Sequence, residues 1–380
     1  MAGRLSSLKA FFLLFIASTC VGVVQCQLLL SAADIPKSLP YGDASEWIRA
    51  HDIFVHNRYA VREKRSIETS PLMNYRHDGM WATTIYVGTP AKPHRVLVDT
   101  GSADLWLNAK SYTPKNSTSS RTTGARFSLS YSVGSVGGYV VKDTVSIGDV
   151  VSYGQVLGVA NATYNVNLPW NISGILGLAQ SDLSVMKSTP FWQACNATEP
   201  VYGIYLGRQT APSHPQQSSG GVLTLGGVNT SLIRSSIDYI PVKDSYHWQI
   251  AMSGLSVDST KIHLSRNTQA FFDSGTAMIG GPSDQVRRVY ANIPGSQPMK
   301  NNAGHYTYPC HVKPNISFSF GTRNYLLNNL DFNVMEIASS DATQSSTRKC
   351  LGALVYEKCI YSNRWSFHQF ARARGPQGFQ

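Results

Sequence analysis

The sequence predicts a mostly β protein made of two units. Its 380 residues and 42% hydrophobic content are enough to bury a large core, and chains of this length commonly divide into two domains. Short alternating runs such as RFSLSYSV and GVLTLGGV recur between clusters of Asn, Ser, Gly and Pro. This is the pattern of strands joined by turns. No long stretch keeps the 3.6-residue apolar period of an amphipathic helix.

The N-terminal segment is predicted to lie outside this fold. Residues 1–26 combine basic residues, an apolar block and small residues, as a secretory signal does, and the block is too short for a good membrane span. Residues 27–65 are polar and end in Lys64-Arg65, followed by Ser66. A dibasic pair can be ordinary solvated surface. Behind a signal, we interpret it as a processing site that releases a prosegment.

Cysteines and glycosylation sequons also indicate a secreted chain. Four cysteines remain after the signal, which suits an oxidising compartment, and their spacing alone does not choose among three pairings. Asn-x-Ser/Thr sequons are useful only to a chain that enters the secretory route. We therefore expect an extracellular protein rather than a vacuolar or surface-anchored form. The cysteines are Cys195, Cys310, Cys350 and Cys359, and the sequons lie at Asn116, Asn161, Asn171, Asn196, Asn229 and Asn315.

The charge distribution argues against a nucleic-acid partner. The formal net charge of +11 is spread along the chain without blocks. Nucleic-acid binding requires a clustered basic stripe with interleaved aromatic residues. The one candidate is RWSFHQFARAR at residues 364–374, and we do not interpret it as a binding element.

Two copies of an Asp-hydroxyl-Gly tripeptide carry the functional signal. Asp99 follows the apolar run Val-Leu-Val, and Asp273 follows Ala-Phe-Phe. One such tripeptide should occur by chance roughly a few tenths of a time in a chain of this length. Two copies after strand-like runs, about one domain apart, indicate an internal duplication. Each half would then present one loop at a shared cleft.

Such a carboxylate pair has a defined chemistry. Two carboxylates a few Å apart do not both ionise easily, so they share a proton and titrate as a unit. The charged member can take a proton from water while the protonated member polarises a carbonyl, which hydrolyses an amide without a metal or cofactor. Gly101 and Gly275 would allow close backbone approach, and Thr100 and Ser274 can hydrogen-bond across a pseudo-twofold axis. The same residues can also be ordinary turn residues.

These motifs resemble the pepsin-like (family A1) aspartic peptidases, of the secreted fungal proenzyme type, over residues 81–350. TTIYVGTPAKPHRVLVDTGSADLWLN resembles the hairpin that enters the first catalytic strand. LSYSVGSVGGYVVKDTVSIG resembles the flap over the cleft, with Ser132 where Gly is common, and ISGILGLAQ resembles the segment behind the first catalytic loop. The resemblance implies a bilobal fold with pseudo-twofold symmetry and a cleft between the lobes.

The resemblance also implies roles for individual residues. Asp99 and Asp273 would be catalytic, and Tyr131 would lie over the cleft and bond Trp106. The flap residues in contact with substrate would be Tyr131, Gly134 and Ser135. The loop-supporting residues would be Thr100, Gly101, Ser102, Trp106, Ser274, Gly275 and Thr276. Cys310 and Cys350 look like the disulfide of the second lobe, which leaves Cys195 and Cys359 either paired or free.

The C-terminal part departs from the family pattern. We expect catalytic lobes at residues 66–240 and 241–380, with residues 351–380 atypical. The family continues through an apolar Leu-Gly-Asp segment that crosses behind the second Asp, and Leu351-Gly352-Ala353 only echoes it close to the disulfide. We therefore expect a truncated or divergent second lobe, with an exposed sheet edge and a looser loop around Asp273.

The predicted function is a secreted aspartic endopeptidase. It would act at acid pH on protein or peptide substrates by a two-aspartate activated-water mechanism, as a monomer, with its own prosegment as inhibitor. The alternative is a catalytically impaired secreted protein that keeps the cleft and binds peptides. A lectin or cell-wall protein has no sugar-site constellation in the sequence to support it.

Overall fold

The computed structural model describes residues 66–76, 78–131, 134–208, 217–233, 236–337, 348–356 and 364–367, together with the backbone of Phe11–Leu14. Most of the described elements are strands, and the helices are short. The predicted mostly β architecture is therefore confirmed. Within this part of the chain, no helix is long and apolar enough to cross a membrane.

The strands follow one another in short segments. They are β1 (Phe11–Leu14), β2 (Glu68–Tyr75), β3 (Met80–Val87), β4 (Lys92–Asp99), β5 (Leu105–Asn108), β6 (Arg121–Tyr131), β7 (Gly134–Ile147), β8 (Val150–Tyr164), β9 (Gly174–Gly177), β10 (Tyr202–Leu206), β11 (Gln217–Leu225), β12 (Asp238–Pro241), β13 (Gln249–Val257), β14 (Thr260–Lys261), β15 (Gln269–Phe272), β16 (Ile279–Gly281), β17 (Gln297–Pro298), β18 (Tyr306–Pro309), β19 (Ile316–Phe320), β20 (Arg323–Leu326), β21 (Asn333–Ile337), β22 (Lys349–Gly352), β23 (Leu354–Tyr356) and β24 (Arg364–Phe367). The helices are α1 (Phe191–Ala194), α2 (Ser283–Ala291) and α3 (Asn329–Phe332), and single 3₁₀ turns occupy Pro114–Asn116, Ser181–Leu183 and Thr230–Leu232.

The first lobe is a ten-stranded sheet in the order β10-β11-β2-β3-β4-β9-β5-β8-β7-β6, in which β3 also pairs with β7. Its central strands are buried on both faces: the last four residues of β4 and all of β9 are buried. Such strands carry continuous apolar runs rather than alternating patterns. This explains the apolar runs Val-Leu-Val near the end of β4 and Ile-Leu in β9.

The second lobe contains two sheets. Seven strands follow the order β20-β19-β13-β15-β24-β16-β23, with β14 paired to β13, and a smaller sheet has the order β17-β18-β22-β21. The predicted disulfide Cys310–Cys350 is present and joins the residue after β18 to β22. Cys195 is a free, half-buried thiol, and Cys359 lies outside the described residues. Elsewhere, β1, within the segment interpreted as a signal, pairs antiparallel with β12.

The two lobes repeat one strand arrangement, which confirms the predicted pseudo-twofold fold. In the first lobe, β4 runs parallel to β9, β9 antiparallel to β5, and β5 parallel to β8. In the second lobe, β15 runs parallel to β24, β24 antiparallel to β16, and β16 parallel to β23. The lobe boundary at residue 240 remains a prediction.

The C-terminal segment is divergent in sequence, but the expectation that the strand behind Asp273 is missing is wrong. Strand β24 fills that place, and the Asp273 N–H donates to the Phe367 carbonyl at 3.0 Å. Trp365 is fully buried, and its indole N–H donates to the Gln285 side chain at 2.8 Å. The edge of β15 is therefore covered by RWSF, not by the Leu351-Gly352-Ala353 segment.

Replacing Trp365 tests the placement of β24. We expect Trp365→Ala to lower the free energy of unfolding by about 3–5 kcal/mol, because it removes a fully buried aromatic side chain and leaves a cavity. Urea unfolding monitored by circular dichroism measures this change. The matched control is Trp170→Ala, where the side chain is 87% exposed and the expected change is within about 0.5 kcal/mol. Equal, small changes in both variants would contradict the burial of β24.

Candidate active site

The two predicted aspartates lie at the ends of corresponding strands. Asp99 is the last residue of β4, and Asp273 directly follows β15. Asp99 is 6% exposed, and Asp273 is half-buried. Each carboxylate therefore emerges from a buried strand into the junction between the lobes.

Two glycines show how closely the carboxylates approach. A Cβ atom added at Gly101 would lie 2.5 Å from Oδ1 of Asp273, and one added at Gly275 would lie 2.5 Å from Oδ1 of Asp99. The Cβ position at Gly275 is also 3.1 Å from Oδ1 of Asp273. Because this single point lies 2.5 Å from one Oδ1 atom and 3.1 Å from the other, the distance between the two Oδ1 atoms cannot exceed the sum of these two distances. Each glycine thus leaves room for the carboxylate of the opposite lobe.

Thr100 and Ser274 join the loops by reciprocal hydrogen bonds. The Thr100 N–H donates to the Ser274 hydroxyl at 3.0 Å, and the Ser274 N–H donates to the Thr100 hydroxyl at 2.9 Å. The Thr100 hydroxyl donates to the Phe272 carbonyl at 2.9 Å, and the Ser274 hydroxyl donates to the Val98 carbonyl at 2.7 Å. Each hydroxyl therefore accepts one hydrogen bond from the opposite lobe and donates another to it, and these four bonds hold the two loops together.

The hydroxyl residues that follow the glycines behave differently in the two lobes. The Ser102 hydroxyl donates to Oδ2 of Asp99 in a short contact. The Thr276 hydroxyl instead donates to the Met278 carbonyl at 3.1 Å, within its own turn. Inside each loop, the glycine N–H donates to Oδ1 of the preceding Asp, at 2.9 Å for Asp99 and 2.8 Å for Asp273. The site is therefore symmetric in its backbone but not in these side chains.

Tyr131 and Trp106 lie together beside the first loop. The indole N–H of Trp106 donates to the Tyr131 hydroxyl at 2.8 Å. Burial raises the pKa of Tyr131, and the negative charge of Asp99 raises it further. The phenol therefore stays neutral through the acid and neutral range and keeps its proton for hydrogen bonding.

The hairpin of β6 and β7 carries Tyr131 and the other predicted flap residues. Tyr131 is paired with Gly134, and Ser130 with Ser135, while Ser132 and Val133 lie outside the described residues. A Cβ atom at Gly134 would lie 2.2 Å from the Tyr164 carbonyl oxygen, so only glycine fits. The hairpin contributes Phe127, Leu129, Val136 and Val140 to an apolar cluster. The other buried members are Tyr75, Ala82, Leu97, Trp106, Ala160, Ile172 and Ile175.

The segment ISGILGLAQ packs behind the first loop. The Leu178 N–H donates to the Asp99 carbonyl at 2.8 Å, and the Ala179 N–H donates to the Ser102 carbonyl at 2.8 Å. A Cβ atom at Gly177 would lie 2.4 Å from the Ala103 carbonyl carbon. This glycine allows the contact that the resemblance implied.

Asp104 is a supporting residue that the sequence analysis missed. Its carboxylate is 2% exposed and accepts from the Ser184 hydroxyl at 2.6 Å, the Val185 N–H at 2.8 Å and the Met186 N–H at 3.2 Å. It therefore ties the loop after Ser181–Leu183 to the first catalytic loop. The sequence did contain a signal for this role: Asp104 is a lone acidic residue inside the apolar run ADLWL. A carboxylate buried in such a run needs hydrogen-bond donors around it.

The six sequon asparagines lie on or near the surface. Asn116, Asn161, Asn196 and Asn315 are exposed, and Asn171 and Asn229 are half-buried. Four of the sequons can therefore carry a glycan without disturbing packed side chains.

The arrangement is suited to proton transfer between two carboxylates. Among the described residues, no group of three or more His, Cys, Asp or Glu side chains could hold a metal ion. Of two carboxyl groups held this close, an ionised one can act as a base toward water while a protonated one donates a hydrogen bond to a carbonyl.

The comparisons with known proteins all indicate the same family. The sequence model of the family described as eukaryotic aspartyl protease matches residues 80–362. Major aspartyl peptidase 1 of Cryptococcus neoformans is 30% identical over 323 aligned positions, and the alignment covers 77% of this chain and 66% of that protein. Cathepsin E of Mus musculus is 31% identical over 313 aligned positions, and the alignment covers 77% of this chain and 76% of that protein. An aspartic protease of Phaffia rhodozyma is 28% identical over 364 aligned positions, with 89% of this chain and 85% of that protein covered. The chain thus spans just under two thirds of the first of these relatives and more of the others.

The Thr100 hydroxyl offers a test of how the loops are joined. We expect Thr100→Val to lower the free energy of unfolding by about 2–4 kcal/mol, because it leaves the buried Ser274 N–H and Phe272 carbonyl without this partner. Thr100→Ser keeps the hydroxyl and serves as the control, with an expected loss below about 1 kcal/mol. Urea unfolding of both variants gives the comparison. A Val variant as stable as the Ser variant would show that these hydrogen bonds do not hold the junction.

Proposed function

Since the chain belongs to the eukaryotic aspartyl protease family, we propose that it is a secreted aspartic endopeptidase that hydrolyses peptide bonds in proteins at acid pH. Asp99 and Asp273 form its catalytic dyad. The observation that carries this proposal is the crossed contact of the two loops, in which the glycine of each lobe makes room for the carboxylate of the other.

The dyad supplies both proton transfers of peptide hydrolysis. The ionised carboxylate takes a proton from a water molecule while the oxygen of that water attacks the carbonyl carbon of the substrate. The protonated carboxyl gives its proton to the carbonyl oxygen. The tetrahedral intermediate then collapses: the carboxyl that took the water proton gives it to the leaving nitrogen, and the C–N bond breaks. A hydroxyl of the intermediate returns its proton to the other carboxylate as the product carboxylic acid forms, which restores the dyad. Because the carboxylates share one proton, the required state exists over an acidic range.

The flap hairpin would close over an extended substrate. Tyr131 presents a neutral hydroxyl that is held by Trp106, and the apolar cluster beneath it excludes water from that side of the cleft. Removing water strengthens the electrostatic interactions of the dyad. In this proposal, Gly134 and Ser135 shape the flap, and Thr100, Ser274 and their neighbouring glycines and hydroxyls keep the dyad rigid.

The proposed enzyme is made as a proenzyme. Residues 1–26 are its signal, and residues 27–65 are a prosegment that covers the cleft until the Lys64-Arg65 pair is cut. Ser66, which follows this pair, already contacts the folded body, because its carbonyl accepts from the Thr198 N–H at 3.4 Å. Cleavage after Arg65 would therefore leave an N-terminus attached at the edge of the first lobe. Residues 66–240 and 241–380 are the proposed catalytic lobes.

Substituting either aspartate tests the dyad. We expect Asp99→Asn and Asp273→Asn each to lower kcat for protein cleavage at acid pH by on the order of 10²–10⁴-fold, because the pair loses its shared proton. The control is Asp149→Asn, an exposed carboxylate, which should keep full activity. Unchanged cleavage by the Asp99 variant would refute the assignment. A wild-type protein that binds a statine-type peptide inhibitor but cleaves nothing would favour the peptide-binding alternative.

The processing site is tested by the N-terminus of the secreted protein. We expect the wild-type protein to begin at Ser66, and the double variant Lys64→Ala/Arg65→Ala to retain residues 27–65, as measured by intact mass and N-terminal sequencing. The matched control is the exposed dibasic pair Arg287-Arg288 in helix α2. Its replacement by alanine should leave the N-terminus at Ser66. Release at Ser66 from the Lys64/Arg65 variant would contradict the proposed site.

A further inference from the structure

We propose that His247 is a substrate-recognition residue that favours an acidic side chain, Asp or Glu, next to the scissile bond. This inference rests on the proposed function. It concerns a residue that no motif of the sequence singled out, and it follows from the position of His247 relative to the second catalytic loop.

His247 lies in the bend that leads into β13, near the second catalytic loop. Strand β13 pairs antiparallel with β15, with Gln249 opposite Phe271. The Phe272 N–H donates to the Trp248 carbonyl at 3.1 Å, and the Gln249 N–H donates to the His247 carbonyl at 2.8 Å, so the chain turns at Trp248. His247 therefore lies just beyond the end of the strand pair that leads to Asp273.

The imidazole packs against an aromatic side chain of β15. The ring centroids of His247 and Phe271 are 5.9 Å apart, with the rings tilted by 52°, and Phe271 precedes Asp273 by two residues. His247 and Phe271 are both half-buried, whereas Trp248 and Phe272 are buried. The imidazole therefore lies against the strand that leads to the second carboxylate and is partly exposed to solvent.

The charged groups around His247 leave its own charge available. Asp244, on the same segment, accepts from the Tyr246 N–H at 2.8 Å and the His247 N–H at 2.7 Å, so one carboxylate oxygen caps the turn. Arg364 at the start of β24 adds a second positive charge, and the acidic residue Asp273 directly follows β15. His247 takes part in no salt bridge with another described residue. An imidazolium at this place can therefore pair with a carboxylate that the substrate brings.

The titration of His247 sets the pH range of this preference. Burial lowers the pKa of His247 below 6.5; Asp244 raises it, and Arg364 lowers it further. The imidazolium is consequently present only below this lowered pKa. Substrate Asp and Glu side chains are ionised above about pH 4. Both charges coexist only between these two limits.

Paired peptides that differ only by Glu or Gln beside the scissile bond test the inference. In the wild-type enzyme, we expect the ratio of kcat/KM for the Glu peptide to that for the Gln peptide to reach about two- to fivefold, the range of a partly exposed ion pair. The ratio should fall toward one below about pH 4 and again above the lowered pKa of His247. The Glu/Gln pair is placed first on one side of the scissile bond and then on the other, because His247 can contact the substrate residue on only one side.

Variants of His247 separate its charge from its shape. His247→Gln should bring the ratio to about one at every pH, and His247→Lys should extend the preference for Glu above pH 6.5, because a lysine remains charged there. The matched control is His263→Gln, an exposed histidine of the second lobe, which should keep the wild-type ratio and its pH dependence. A wild-type ratio of one at every pH between about 4 and 6.5, or a wild-type ratio in His247→Gln, would overturn the inference. Failure to cleave even the Gln peptide would instead overturn the proposed function.

Discussion

The structure depends on keeping two carboxylates in contact at a junction between lobes. Ionised carboxylates a few Å apart repel each other, so other interactions must hold the loops together. The hydroxyls of Thr100 and Ser274 provide four hydrogen bonds of 2.7–3.0 Å that cross or brace the junction. Because these hydroxyls are buried, breaking one bond leaves polar groups without solvent to replace it. The junction therefore resists separation although the carboxylates favour it.

Each lobe supports its loop with the same topology but different side chains. In the first lobe, Gly177 brings β9 against the catalytic loop by direct backbone contact. In the second lobe, aromatic packing has this role: Phe367 stacks on Phe272 with centroids 5.5 Å apart, and a Cβ atom at Gly281 would lie 2.6 Å from the Trp365 ring. A duplicated fold can thus keep its strand order while different side chains pack behind the catalytic loop in each half. Backbone contact in the first lobe and aromatic packing in the second lobe both oppose the repulsion between the two carboxylates.

This difference explains which parts of the fold could be predicted from sequence. The Asp-hydroxyl-Gly loops have local motifs, because each requires particular residues at fixed spacing. The Cys310–Cys350 pairing followed from the family resemblance and not from the spacing of the cysteines. Strand β24 was missed because RWSF contains no glycine signature: Gly177 follows Leu176 in the first lobe, whereas His368, which lies outside the described residues, follows Phe367 in the second. Burial of β24 depends on partners far along the chain, such as Gln285. Asp104 was missed for the same reason, because its hydrogen-bond donors Ser184, Val185 and Met186 are brought to it by tertiary contacts.

Tyr131 on the first lobe and His247 on the second lobe differ in how they respond to pH. Burial and the charge of Asp99 raise the pKa of Tyr131, so its hydroxyl stays protonated in acid. Burial lowers the pKa of His247, so its imidazole is less readily charged than that of an exposed histidine. In the proposed function, the neutral hydroxyl would bind the peptide backbone, which carries no charge, and the titrating imidazole would distinguish substrate side chains by charge. Binding of the backbone and selection among side chains are therefore proposed to lie on opposite lobes.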